Sequence, residues 1–135
     1  MGRSWLKDDD AMKSIHYDAE GDILSVTFVE AAGQKHTGVE LTDQIVLYYH
    51  PETAKPLQLV VLSYRALLQA SRRSPLRLDG LARAPLKVRA TVTALLQSAP
   101  LAAFFQLVET EGMTLPTSRL HEIFVPTMLQ TVAAA

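Results

Sequence analysis

Residues 17–28 read Tyr-Asp-Ala-Glu-Gly-Asp-Ile-Leu-Ser-Val-Thr-Phe, and no other stretch limits the fold as tightly. Asp18 to Asp22 form a turn, because Asp and Gly tolerate left-handed backbone and an Asp side chain can close a turn on nearby main chain. Leu24, Val26 and Phe28 then alternate with Ser25 and Thr27, the period of two that marks a strand with one buried face. Before the turn, Ile15 and Tyr17 share one face and His16 takes the other. Two such strands around a short turn make an antiparallel hairpin. A chain that begins this way builds a sheet.

The strand pattern continues. Residues 38–50 read as a third strand: Val39 and Leu41 alternate, Thr42-Asp43-Gln44 interrupts, and residues 45–49 are continuously apolar. The interruption fits either a bulge or a tight turn. Pro51 and Pro56 bracket a turn. Residues 57–64 read as a fourth strand, apolar on both faces, with Leu57, Leu59 and Val61 on one and Val60 and Leu62 on the other. Such a strand needs cover on both sides. Helices can supply one side and a second copy of the chain the other, which predicts a homodimer.

Ser63 is placed to cap a helix over 64–71. Residues 71–85 are loop-like, with Pro75, Gly80 and Pro85. Val88, Val92, Leu95 and Leu96 give helical spacing over 86–97. Leu101, Phe104, Phe105 and Val108 repeat it over 99–111, with Pro100 in the first turn and Gly112 past the end. The two segments predict a helical hairpin around Ser98. Pro116 and Pro126 break the pattern beyond residue 113, and residues 123–129 admit a strand or a helix. The fold class is therefore α+β, a four-stranded antiparallel sheet followed by a helical C-terminal part. Residues 1–11 are expected as a flexible extension, 12–70 as the sheet plus a short helix, and 71–135 as a basic loop and helical hairpin packed on it, in a single domain. Met12 is a candidate for the native start.

Length, composition and charge set the functional bounds. The 135 residues are enough to bury a modest core without a staple. With no cysteine, thiol catalysis, disulfides and Cys-based zinc sites are excluded. No apolar run reaches the ~18–20 residues of a membrane span, and the opening MGRSWLKDDD has no apolar core of a secretion signal. A cytoplasmic location is the expectation. Residues 1–64 hold five Lys/Arg against ten Asp/Glu, whereas 65–89 hold seven against Asp79 alone. Such asymmetry points to an anionic partner.

Candidate chemistry is sparse. Asp18, Glu20 and Asp22 are the densest carboxylate group of the hairpin, and with His16 and His50 they are the only material for a small metal-dependent enzyme. Turn formation is the favoured account of the carboxylates, with Asp18 closing the turn and Asp22 starting the next strand. His16, His36, His50 and His121 show no HxH or HxxxH spacing. No GxSxG, phosphate-binding or dinucleotide-binding motif occurs, and Ser25, Ser63 and Ser71 have no adjacent base. We therefore assign no catalytic residue, no cofactor and no metal ligand. Arg72, Arg73, Arg77 and Arg83 lie on the punctuated loop, and Lys87 and Arg89 open the next helix. These six are the candidate contacts for an anion or an acidic protein partner, since Arg matches carboxylate and phosphate geometry. Nucleic acid is the weaker reading, because no aromatic residue is interleaved for base stacking. The leading reading of the charge itself is self-complementarity, with the basic segment lying on the acidic sheet of its own or a neighbouring copy.

Residues 13–68 resemble a small bacterial family designated domain of unknown function 2283. The YDxxxDxLxVxF-like hairpin from Tyr17 to Phe28 carries the resemblance, with Gly38-Val39-Glu40-Leu41 and the apolar strand and helix start over 57–68. It implies a short antiparallel sheet with a helix on one face and no catalytic residues. Some members are encoded beside small toxin-like proteins, which implies a partner-binding, regulatory or antitoxin-like role. Where members show a Gly-rich or Asp-rich turn after the third strand, this chain has His50-Pro51-Glu52-Thr53-Ala54-Lys55-Pro56, and its C-terminal half extends past the family core.

Overall fold

The structure, a computed structural model, describes residues 14–29, 33, 35–108 and 117–120. The expected extension over 1–11 and the segment 123–129 lie outside the described residues.

Five strands form the main sheet: β1 (Ser14–Asp18), β2 (Ile23–Thr27), β3 (Thr37–Thr42), β4 (Ile45–Tyr49) and β5 (Pro56–Leu62). Their order is β1-β2-β5-β4-β3, with every neighbour antiparallel. The α+β class is as expected, but the sheet has five strands rather than four. Residues 38–50 are two strands, because Thr42-Asp43-Gln44 reverses the chain. Ile45 pairs back on Thr42, and the Gln44 amide donates to Thr42 Oγ1 at 3.0 Å. A register shift between Glu40 and Thr42 accompanies the turn.

Alternation decides what each strand buries. Leu24, Val26, Leu41, Ile45, Leu47, Leu59 and Val61 face inward and are fully buried. Everything described after β5 packs on that face. Helix α1 (Tyr64–Arg73) brings Tyr64, Leu67 and Leu68, α2 (Asp79–Ala82) brings Leu81, and α3 (Leu86–Leu96) brings Val92 and Leu96. Edge-to-face rings stitch the layers, with Tyr17 against Tyr64 at 6.1 Å and Phe28 against Phe104 at 6.2 Å.

A second, three-stranded sheet holds β6 (Leu76–Arg77), β7 (Phe105–Val108) and β8 (Thr117–Leu120) in the order β6-β8-β7. It replaces the second helix expected over 99–111. Leu101 sits in a single 3₁₀ turn (Leu101–Ala103), and Phe105 to Val108 run straight, paired with β8. Short apolar runs fit helical and strand spacing alike, and a partner strand settles the choice. Here β8 supplies it. Helices are thus few in the C-terminal part, and the helical hairpin is absent from the described residues.

Helix α1 is capped differently from the sequence expectation. Ser63 is left-handed (φ 54, ψ 49) and makes no side-chain cap bond. Asp22, from the β1–β2 turn, stands in. Its carboxylate oxygens accept from the Arg65 amide at 3.1 and 3.2 Å, and its carbonyl accepts from the Tyr64 amide at 3.0 Å. A carboxylate there both satisfies orphan amides and complements the positive end of the helix. At its other end, α1 holds the small sheet: Ser71 Oγ accepts from the Leu120 amide at 2.6 Å, and Arg119 donates to the Ser71 carbonyl at 2.9 Å. Helix α2 lies on β3 by close approach, where a Cβ at Gly80 would overlap the Glu40 carbonyl oxygen.

Candidate functional site

The six basic candidates occupy four places. Arg72 and Arg73 are exposed in the last turn of α1, not on a loop, and their charges suit the negative end of that helix. Arg77 is on β6, Arg83 terminates α2, and Lys87 and Arg89 are in the first turns of α3. Arg89 is half-buried and donates to the Ala82 carbonyl at 3.4 Å, so it braces α2 against α3. Arg77 and Arg83 are brought together. They line one cleft of about 360 Å³ with Thr42, Asp43, Gln44 and Asp79, floored by Leu67 and Leu76. Arg83 also borders a second hollow of about 320 Å³, beyond Gly80, between β3 and the start of α3. The short α2 is the ridge between the two.

The first cleft carries both signs of charge. Arg77 Nε lies 3.9 Å from Asp79 Oδ1, a loose contact with more than half of each side chain exposed. An exposed pair of that kind contributes little stability, so the guanidinium is available to an incoming carboxylate at small cost. Asp43 and Asp79 limit how positive the cleft becomes. Sequence reasoning missed Arg65, which lies seven residues before Arg72 on α1 and is exposed like it. Two helical turns separate them, so both belong to one polar stripe with Gln69; the i, i+4, i+7 spacing was the available signal.

The carboxylate and histidine candidates do not converge. Asp18 Oδ1 accepts from the Glu20 amide at 3.1 Å, closing the turn on itself. The Asp22 carboxylate is engaged by the Arg65 amide and by the Tyr17 hydroxyl, which donates at 2.6 Å. Burial, reinforced by that bond and by the Asp22 charge, pushes the Tyr17 phenol up to about 12. Tyr49 is raised by burial as well. His16 lies on the outer face of β1, paired with Ser25. His50 lies at the opposite end of the sheet from the Asp18–Asp22 turn, and its Nδ1 accepts from the Glu52 and Thr53 amides at 3.1 and 3.3 Å. His36 sits edge-to-face with Tyr48 at 6.2 Å. His121 lies outside the described residues. Among the described residues, no three His, Asp or Glu side chains are placed to hold a metal ion. Of the serines, Ser71 is buried and bonded to β8, and Ser63 forms the turn into α1.

Among the described residues, no helix is long and apolar enough to cross a membrane. Comparison with family models, with curated proteins and with solved structures finds no match.

Proposed function

We propose that the protein is a non-enzymatic interaction module of the cytoplasm, regulatory in role, whose basic surface receives an acidic protein partner. The observation that carries this reading is the meeting of Arg77 and Arg83, from separate elements, at one open cleft. Both belong to a segment, 65–89, with seven Lys/Arg against a single Asp. The elements that bear these residues are fixed by core side chains such as Leu78 and Leu81, so little backbone freedom is lost on binding. Guanidinium forks bind carboxylates in pairs, which gives an acidic peptide surface both affinity and orientation. The resemblance of residues 13–68 to a family associated with toxin-like neighbours supports an antitoxin-like version of the role.

The test is affinity capture from native-host lysate at physiological salt, with and without nuclease. The wild type is compared with Arg72→Glu/Arg73→Glu/Arg77→Glu/Arg83→Glu. The expected result is a stoichiometric acidic protein that survives nuclease and is absent from the variant capture. The same protein held equally by both forms would remove the basic surface from the interaction. Capture of nucleic acid, lost on nuclease treatment, would replace the protein partner with a phosphate backbone.

A further inference from the structure

The outer face of the five-stranded sheet carries no described element, and none of its members is fully buried. One row across it reads His16, Ser25, Val60, Val46, Glu40 from β1 to β3. The next row reads Ser14, Thr27, Gln58, Tyr48, Gly38, with the Tyr48 ring lying over Gly38. On the other side of the first row, Ile23 of β2 pairs with Leu62 of β5, and Leu62 is 38% exposed. Val46, Val60, Ile23 and Leu62 thus form an aliphatic patch beside the polar row, and the imidazole of His16 and the carboxylate of Glu40 stand at opposite edges of the first row, each two strands from β5.

We infer that this face seats a second copy of the chain, across a two-fold axis running along β5. That operation lays β1 of one copy over β3 of the other. It stacks Val60 on Val60 and Leu62 on Leu62, meets Gln58 with Gln58, whose amides are self-complementary, and brings His16 over Glu40 of the other copy at both edges. The alternative axis, across the strands, would set Glu40 on Glu40, a like-charge contact that a specific interface avoids. Charge therefore selects one of the two ways the sheets can stack. Charge is also confined to the rim, as at specific interfaces. Five strands at about 4.8 Å spacing and five to seven residues at about 3.4 Å give a footprint of roughly 500 Å² per copy. The total, about 1,000 Å², is at the lower bound for specific association, which points to a weak, reversible dimer.

Sedimentation equilibrium of the full chain from about 1 µM to about 1 mM tests this, with circular dichroism confirming that each variant is folded. The wild type should show a reversible monomer–dimer equilibrium, and Val60→Glu should be monomeric throughout. His16→Glu and Glu40→Lys should each weaken dimerisation roughly tenfold, because each change places like or unpaired charges at both edges. The double variant His16→Glu/Glu40→Lys restores the pairing with its sign reversed and should return to within about threefold of the wild type. A wild type that stays monomeric to 1 mM, a Val60→Glu dimer, or a double variant no tighter than either single would overturn the inference.

Discussion

In the five-stranded sheet, three of the four strand pairings join neighbours along the chain, and a long inner face of Leu, Val and Ile is sealed against helices. The three-stranded sheet is built the other way. Its β6 has two residues, its partner residues in β8 lie some forty positions later, and it is held by Phe105 in the core, by Leu76, Leu107 and Leu120 packed against that core, and by the Ser71 contacts at the end of α1. The first sheet is specified by local pattern and stabilised by burial. The second is assembled across long sequence separations and adds polar anchors to a smaller apolar contact with the same core. Hydrogen-bonded anchors matter most where buried apolar area is small, since each net bond contributes only about 1 kcal/mol but an orphaned buried amide costs more.

The largest effects are expected at the seam between the two regions. Gly80→Ala forces a methyl group onto the Glu40 carbonyl, and we expect about 3 kcal/mol or more of lost stability in urea unfolding, through displacement of α2 from β3. Asp22→Ala comes next. It removes both the α1 cap and the acceptor for Tyr17, for an expected loss of about 2 kcal/mol, while Asp22→Asn, still able to accept, should lose less. Ser71→Ala should cost about 1–2 kcal/mol by leaving the Leu120 amide unpaired. Its diagnostic is hydrogen exchange: amides of β8 should open faster while those of β2 and β5 hold. Uniform acceleration would show that the two sheets unfold as one unit.

A pH series sharpens the same point. The Tyr17 phenol is raised in the folded state to about 12, from an ordinary value of 10.0. Its contribution to stability is therefore complete below pH 10 and is lost as pH climbs through 12, because the unfolded chain releases the proton first. Stability should fall over that window in the wild type, and the part due to Tyr17 should vanish in Tyr17→Phe. The smallest effect belongs to Lys35, whose bond to Glu52 at 3.1 Å joins two side chains that are each at least 65% exposed. Lys35→Ala should change stability by less than about 0.5 kcal/mol.

Legibility in the sequence divides along the same line. The β1–β2 hairpin and α3 are readable because each carries its own period and stop signals, and β5 because its near-continuous apolar run follows a proline-bracketed turn. The β3–β4 turn is ambiguous because Asp43-Gln44 lacks the glycine that marks most tight reversals, and the apolar run after it reads as a continuation. The strand β7 reads as helix because Leu101, Phe104, Phe105 and Val108 satisfy helical spacing, and only β8 decides between the two. The cap on α1 is out of reach, since Ser63 is the local cap signal and Asp22 lies 43 residues from the amide it serves. Of the basic segment, the exposure of Arg72, Arg73, Arg77 and Arg83 is legible from charge and punctuation. The use of Arg89 as a brace is not, because its acceptor is a main-chain carbonyl, which sequence does not display.

The placement of Asp22 also predicts an order of events. An isolated ten-residue α1 is too short to persist in water without help. Its help comes from the β1–β2 turn, with Asp22 in a left-handed conformation that orients its carboxylate and carbonyl together. The helix is therefore expected to consolidate after the hairpin, since closing the 43-residue separation carries the loop entropy that such a contact requires. In a chevron analysis, the strands of the hairpin should report formed structure in the transition state, while the Asp22–Arg65 bond should act mainly on the unfolding limb.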